Sequence, residues 1–180
     1  MTRRQLLLRG GVATGAIVIA GLVLRVAKRF GEPKAPGLAA LTATEVEILS
    51  AFSTAALPGG EMPAADPAFM VRYIDDYLAH SDDEVRLLFR ALLHVIEEQS
   101  LIFSFSRFSQ RSAADRLREI QAWERTPVYL KRAAFQSMKM IVGMAYFEQP
   151  GSLDAVGWYV GCAPPHLEHK SKERFSHGTS

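Results

Sequence analysis

The chain has one cysteine, Cys162, among 180 residues. A single thiol excludes an internal disulfide and the two-cysteine motif that attaches a haem. Neither a glycine-rich dinucleotide fingerprint nor a phosphate-cradling Gly-Lys-Ser/Thr loop occurs, so the common nucleotide grips are missing. A di-iron bundle would need two Glu-x-x-His motifs on facing helices, and His94 with Glu97 is a single copy in reversed order. No apolar run reaches the ~20 residues of a membrane-spanning helix. The longest uncharged stretch, residues 10–24, is diluted by Gly10, Gly11, Gly15 and Gly21. No pair of alternating segments reads as a β-hairpin, and no period of ~20–50 residues repeats.

Positive charge is abundant only at the start. Residues 1–37 hold seven Lys or Arg against one Glu, which leaves fourteen against eighteen acids for residues 38–180. The formal charge of +2 therefore belongs to the leader, and a net-acidic body lacks the footprint for a nucleic-acid backbone. Within that leader, Thr2-Arg3-Arg4-Gln5-Leu6-Leu7 fits the twin-arginine export pattern of Ser/Thr, two arginines, any residue and two large apolar residues. Leu8 stands where a Lys often follows, and Arg9 comes one place late. Arg25, Lys28 and Arg29 then place positive charge beyond the apolar run, which disfavours ordinary secretory export. Residues 32–37 read as a Pro/Gly linker, and Gly37-Leu38-Ala39 is the nearest small-x-small processing site. Cleavage there and retention as a membrane anchor both fit the pattern. The expected division is a signal or anchor over residues 1–37, one domain over 38–162 and a polar flexible tail over 163–180.

The domain reads as all-α, a compact bundle of about five main helices. Thr42 with Glu45 forms a capping-box pattern ahead of Val46, Leu49, Phe52 and Ala56, and Pro58-Gly59-Gly60 stops that helix. Asp66-Pro67 opens a second, with Phe69/Met70, Tyr73/Ile74 and Tyr77/Leu78 as its apolar stripe. A third starts at residues 81–84 and carries Val85, Leu88, Leu92, Val95 and Ile96. Residues 100–108, with Phe103, Phe105 and Phe108, read as a helix end and loop. Ser112 and Asp115 cap a fourth helix bearing Leu117, Ile120 and Trp123, and Thr126-Pro127 separates it from a fifth. That fifth helix runs to about Phe147 and is expected to bury Leu130, Ala134, Met138, Ile141, Val142 and Ala145.

Chemistry is sparse in this pattern. Asp75-Asp76 and Glu97-Glu98 are neighbouring carboxylates that helical geometry turns to different sides, so neither makes an acid/base couple. His94 reads as a partly buried helix residue. Cys162, His166 and His169 could be imagined around a metal, but Pro164-Pro165 and the polar run after them favour a tail. No catalytic, cofactor-binding or metal-binding residue is assigned.

The arginine pair, residues 41–45 opening a helix, the Leu57-Pro58-Gly59-Gly60 break, the stripe from Tyr73 to Leu78 and the segments Gly143-Met144-Ala145-Tyr146-Phe147 and Val156-Gly157-Trp158-Tyr159 together resemble the gluconate 2-dehydrogenase subunit 3 family. The resemblance covers residues 1–162. The common ending of that family, a ring-bearing helix followed by Gly-Tyr, is here Val156-Gly157-Trp158-Tyr159-Val160-Gly161-Cys162. The resemblance implies a small helical, non-catalytic subunit that is periplasmic or sits at the periplasmic face of the inner membrane. It would partner a flavoprotein of the glucose-methanol-choline type that carries FAD, often with a cytochrome c subunit that carries haem. It would also wear the twin-arginine signal, Arg3, Arg4, Leu6 and Leu7, for a catalytic subunit lacking one, and so engage the twin-arginine translocase. Sugar, sugar acid, alcohol and sterol substrates all fit such a partner. Docking requires apolar surface, and Phe103, Phe105, Phe108, Trp123, Trp158 and Tyr159 are the aromatics expected there. A membrane-anchored tether and an independent metal enzyme on Cys162, His166 and His169 are the alternative readings.

Overall fold

The computed structural model describes residues 29–157. They form six α-helices and one 3-10 turn, with no strand among the described residues. The order is α1 (Ala43–Ala56), α2 (Pro67–His80), α3 (Asp83–Ser104), a 3-10 turn (Phe108–Gln110), α4 (Ala113–Glu124), α5 (Tyr129–Glu148) and the single turn α6 (Ser152–Ala155). None of the described helices is long and apolar enough to cross a membrane.

Local chemistry sets the helix starts. Thr42 Oγ1 accepts from the Glu45 N–H at 3.3 Å while Glu45 Oε2 accepts from the Thr42 N–H at 2.8 Å, a complete capping box for α1. Asp66 Oδ1 accepts from the Ala68 N–H at 2.9 Å and Pro67 takes the first position of α2, where no N–H is needed. Ser112 caps α4 through the Asp115 N–H. Between α1 and α2, Gly59 has φ +91° and a Cβ there would lie 3.0 Å from Ala64 Cβ, so both conformation and space demand glycine.

α1 is the central element. It packs against α2, α3, α4 and the 3-10 turn, while α5 closes the bundle over α2, α3 and α4. Phe52 of α1 lies edge-on to Phe135 at 5.8 Å and tilted to Phe108 at 6.3 Å, and Trp123 stacks on Phe135 at 5.6 Å. All four rings are buried. The end of α5 ties the α1–α2 loop: Tyr146 donates to the Pro63 carbonyl at 2.7 Å, Gln149 Nε2 donates to the Ala64 carbonyl at 2.9 Å, and Gln149 Oε1 accepts from the Asp66 N–H at 2.7 Å.

α3 turns to solvent most of a face that its spacing assigned to the core, and α5 a single residue of its own. On α3 the buried apolar side chains are Phe89, Leu93 and, as expected, Ile96, whereas Leu88 is 61% exposed, Val85 is exposed and Leu92 and Val95 are only partly buried. The core stripe is rotated by roughly a quarter-turn from the expected one. On α5, Met138, Ile141, Val142 and Ala145 are buried as the period requires, but Leu130 is 76% exposed. α3 also continues through residues 100–104 before Phe105 ends it, so the serine- and phenylalanine-rich stretch is helix for longer than expected.

Candidate functional site

The expected docking aromatics divide sharply. Phe108 and Trp123 are core side chains, in contact with Phe52 and Phe135, and cannot present themselves to a partner. Phe105 is the opposite case. It is 91% exposed and sits at φ +55°, the left-handed conformation that closes the end of α3. Phe103 lies within α3, its side chain outside the described atoms, and Trp158, Tyr159, Arg3, Arg4, Leu6 and Leu7 all lie outside the described residues.

Apolar surface is supplied by other side chains. Val85, Leu88, Leu92, Val95, Gln99 and Ile102 recur at alternating steps of three and four along α3, which places them on one helix face. The same spacing on α5 aligns Leu130, Ala133, Ser137, Met140, Met144 and Phe147. Val85, Leu88 and Ile102 of the first set and Leu130, Met140, Met144 and Phe147 of the second are exposed. The helices meet where Lys131 Nζ donates to Gln99 Oε1 at 2.8 Å. Exposed valine, leucine, isoleucine, methionine and phenylalanine on these two helices are side chains suited to association, with methionines that adapt to a partner's shape.

Behind α3 lies a buried charged cluster. Glu45, fully buried, receives Arg90 Nε at 2.8 Å and His94 Nε2 at 3.0 Å on the same oxygen, Oε1. Phe30 covers the cluster, edge-on to His94 at 5.7 Å and beneath the Arg90 guanidinium at 5.1 Å. Burial alone would raise the Glu45 pKa, but hydrogen bonds from His94 and the Thr42 N–H and the charge of Arg90 outweigh it and hold the carboxyl below its ordinary value. Covered in this way, the cluster is a joint between α1, α3 and the incoming chain. Glu97 likewise is consumed by structure, accepting from the Ser109 N–H at 2.9 Å and its hydroxyl at 2.7 Å.

A second buried carboxylate fastens the chain ahead of α1. Asp75 on α2 accepts from the backbone N–H groups of Ala39, Ala40 and Leu41, each at 2.8 Å. Asp76 beside it points to solvent, as adjacent helix positions must. Sequence spacing separates Asp75 from Asp76 but contains no sign of the three amides 34–36 residues upstream.

A shallow groove of about 310 Å³ is lined by Gln99, Ser100, Arg111, Asp115, Arg118, Glu119 and Ala122. Its charges are already paired, Arg111 with Glu119 at 2.6 Å and Arg118 with Asp115. It therefore offers no uncommitted charge to a ligand. Among the described residues no three His, Cys, Asp or Glu side chains group as metal ligands; Cys162, His166 and His169 lie outside them. No family model, curated protein or solved structure matches the chain.

Proposed function

We propose that this chain is a non-catalytic small subunit that docks a flavin-dependent dehydrogenase of the glucose-methanol-choline type and escorts it, folded, through the twin-arginine route to the periplasm. The arginine pair carries this reading. A translocase for folded proteins is used when cargo must fold or load its cofactor before export, and FAD in a partner flavoprotein supplies that reason. Haem, where a cytochrome c subunit completes the complex, belongs to that third chain. The exposed lines on α3 and α5 support the reading, since they give the escort an apolar surface on which to hold its cargo.

The test is co-expression of the full chain with a flavoprotein encoded beside it, followed by fractionation. With the native leader the flavoprotein is expected in the periplasmic or membrane fraction; with Arg3→Lys/Arg4→Lys it is expected to remain in the cytoplasm. Export of the flavoprotein by the double variant at the native level sinks the escort reading.

A further inference from the structure

The chain between leader and α1 is held by more bonds than a linker needs. Gly37-Leu38-Ala39 places the scissile bond of the small-x-small processing site between Ala39 and Ala40. Ala40 and Leu41 are buried, and the N–H groups on both sides of that bond are committed to Asp75. The Ala40 carbonyl accepts from Lys34 Nζ at 2.5 Å, and the Leu41 carbonyl accepts from the Ala35 N–H at 2.9 Å. Lys34 pairs with Thr42 as an isolated antiparallel bridge, which folds residues 35–41 into a closed loop. Gly37 stands at φ +79°, a left-handed conformation. Upstream, Arg29 donates to Glu32 at 3.3 Å and to Thr44 at 3.1 Å, and Phe30 lies on His94 and Arg90.

A peptidase that recognises a backbone segment binds it extended, with its N–H and C=O groups paired to the enzyme. Here the left-handed Gly37 bends the segment, and the amides at 39, 40 and 41 already have a carboxylate partner. We propose that folding of the domain closes this processing site: the Asp75 clasp keeps the Ala39–Ala40 bond from a signal peptidase, and the leader stays attached to the exported body. In biological terms this rests on the export reading above, and it makes the escort a tether as well, holding its cargo at the membrane. The clasp itself is a property of the folded chain and can be tested without export.

The experiment uses the purified full chain in detergent with added signal peptidase, read by intact mass. Wild type is expected to stay at 19.9 kDa, while Asp75→Ala is cut between Ala39 and Ala40 at least about tenfold faster, the effect of losing charge-assisted bonds worth more than a factor of ten. Cleavage of wild type at that bond at the variant's rate overturns the proposal. Hydrogen exchange of the wild-type amides at 39–41 provides a measurement that no unfolded variant can confuse. Exchange as slow as that of interior α1 amides supports the clasp, and exchange as fast as that of Gly59 and Gly60 overturns it. These outcomes are independent of fractionation: export of the flavoprotein without Arg3 and Arg4 removes the escort and leaves the clasp standing, whereas rapid cleavage of wild type removes the clasp and leaves the escort.

Discussion

Glu45 serves three donors with two oxygens, one closing the cap of α1 and the other joining Arg90 and His94. Removing its charge leaves Arg90 buried beside a neutral amide, and Arg90 already has one nitrogen, Nη2, without a partner among the described residues. Glu45→Gln is therefore expected to destabilise the domain by about 3–5 kcal/mol in urea unfolding, the range for breaking a buried pair from one side. The acid limb follows from the same side chain. Its folded pKa is below the ordinary 4.5, so its contribution is complete above about 4.5 and is lost as pH falls through the folded value. Wild-type Tm should thus fall more steeply than that of Glu45→Gln below about pH 4.5; parallel curves would contradict the assignment. Phe105 gives a prediction of the other sign. A left-handed phenylalanine costs about 1 kcal/mol relative to glycine, so Phe105→Gly should raise stability by about that much. With its exposed ring placed in the proposed docking surface, the same substitution is expected to weaken capture of a flavoprotein in pull-down, a loss that the stability gain cannot explain.

Among the elements, α5 is the one whose end performs a task its sequence does not announce. Gln149 joins two backbone groups of the α1–α2 loop, at Ala64 and Asp66, and is itself buried. Gln149→Ala leaves both without that partner and should cost about 1–3 kcal/mol in equilibrium unfolding; a loss below about 0.5 kcal/mol, the usual size of a surface change, would show that Tyr146 and the Ala65–Leu57 backbone bond hold the loop without it. The helices themselves were legible because capping residues and prolines act locally: Thr42 with Glu45, Asp66-Pro67 and Ser112 with Asp115 mark starts that the structure reproduces. The face of α3 was not. Its apolar residues cover more than half the helix circumference, so period alone cannot say which stripe is inward, and the choice is made by Phe89, Leu93 and Ile96 packing in the core. Phe108 and Trp123 were misassigned to the surface for a related reason, since an aromatic suits a core and an interface equally well until its neighbours are known. Asp75 and Gln149 were invisible because their partners are backbone groups distant in sequence, which carry no side-chain signature.

At the scale of the whole molecule, core and exposed lines can be separated by experiment. Leu88→Glu and Met140→Glu change solvent-facing positions and should leave unfolding free energy within about 0.5 kcal/mol of wild type. On the proposed escort role, capture of a flavoprotein should nevertheless weaken at least about tenfold for a side chain near the centre of the contact, the effect of a hot-spot residue. Unchanged capture by both variants would move the docking surface away from α3 and α5. Lys131 offers a way to watch that surface directly. It follows exposed Tyr129 and Leu130, and its ammonium sits 3.9 Å from the centre of the buried Trp123 ring, where burial lowers its pKa. A positive charge so near an indole shifts the ring's emission, so anything that draws Lys131 aside alters the light Trp123 gives out. With Trp158 replaced by phenylalanine to silence the only other indole, the chain becomes its own optical gauge, reporting in real time whether the proposed cargo settles on the first turn of α5.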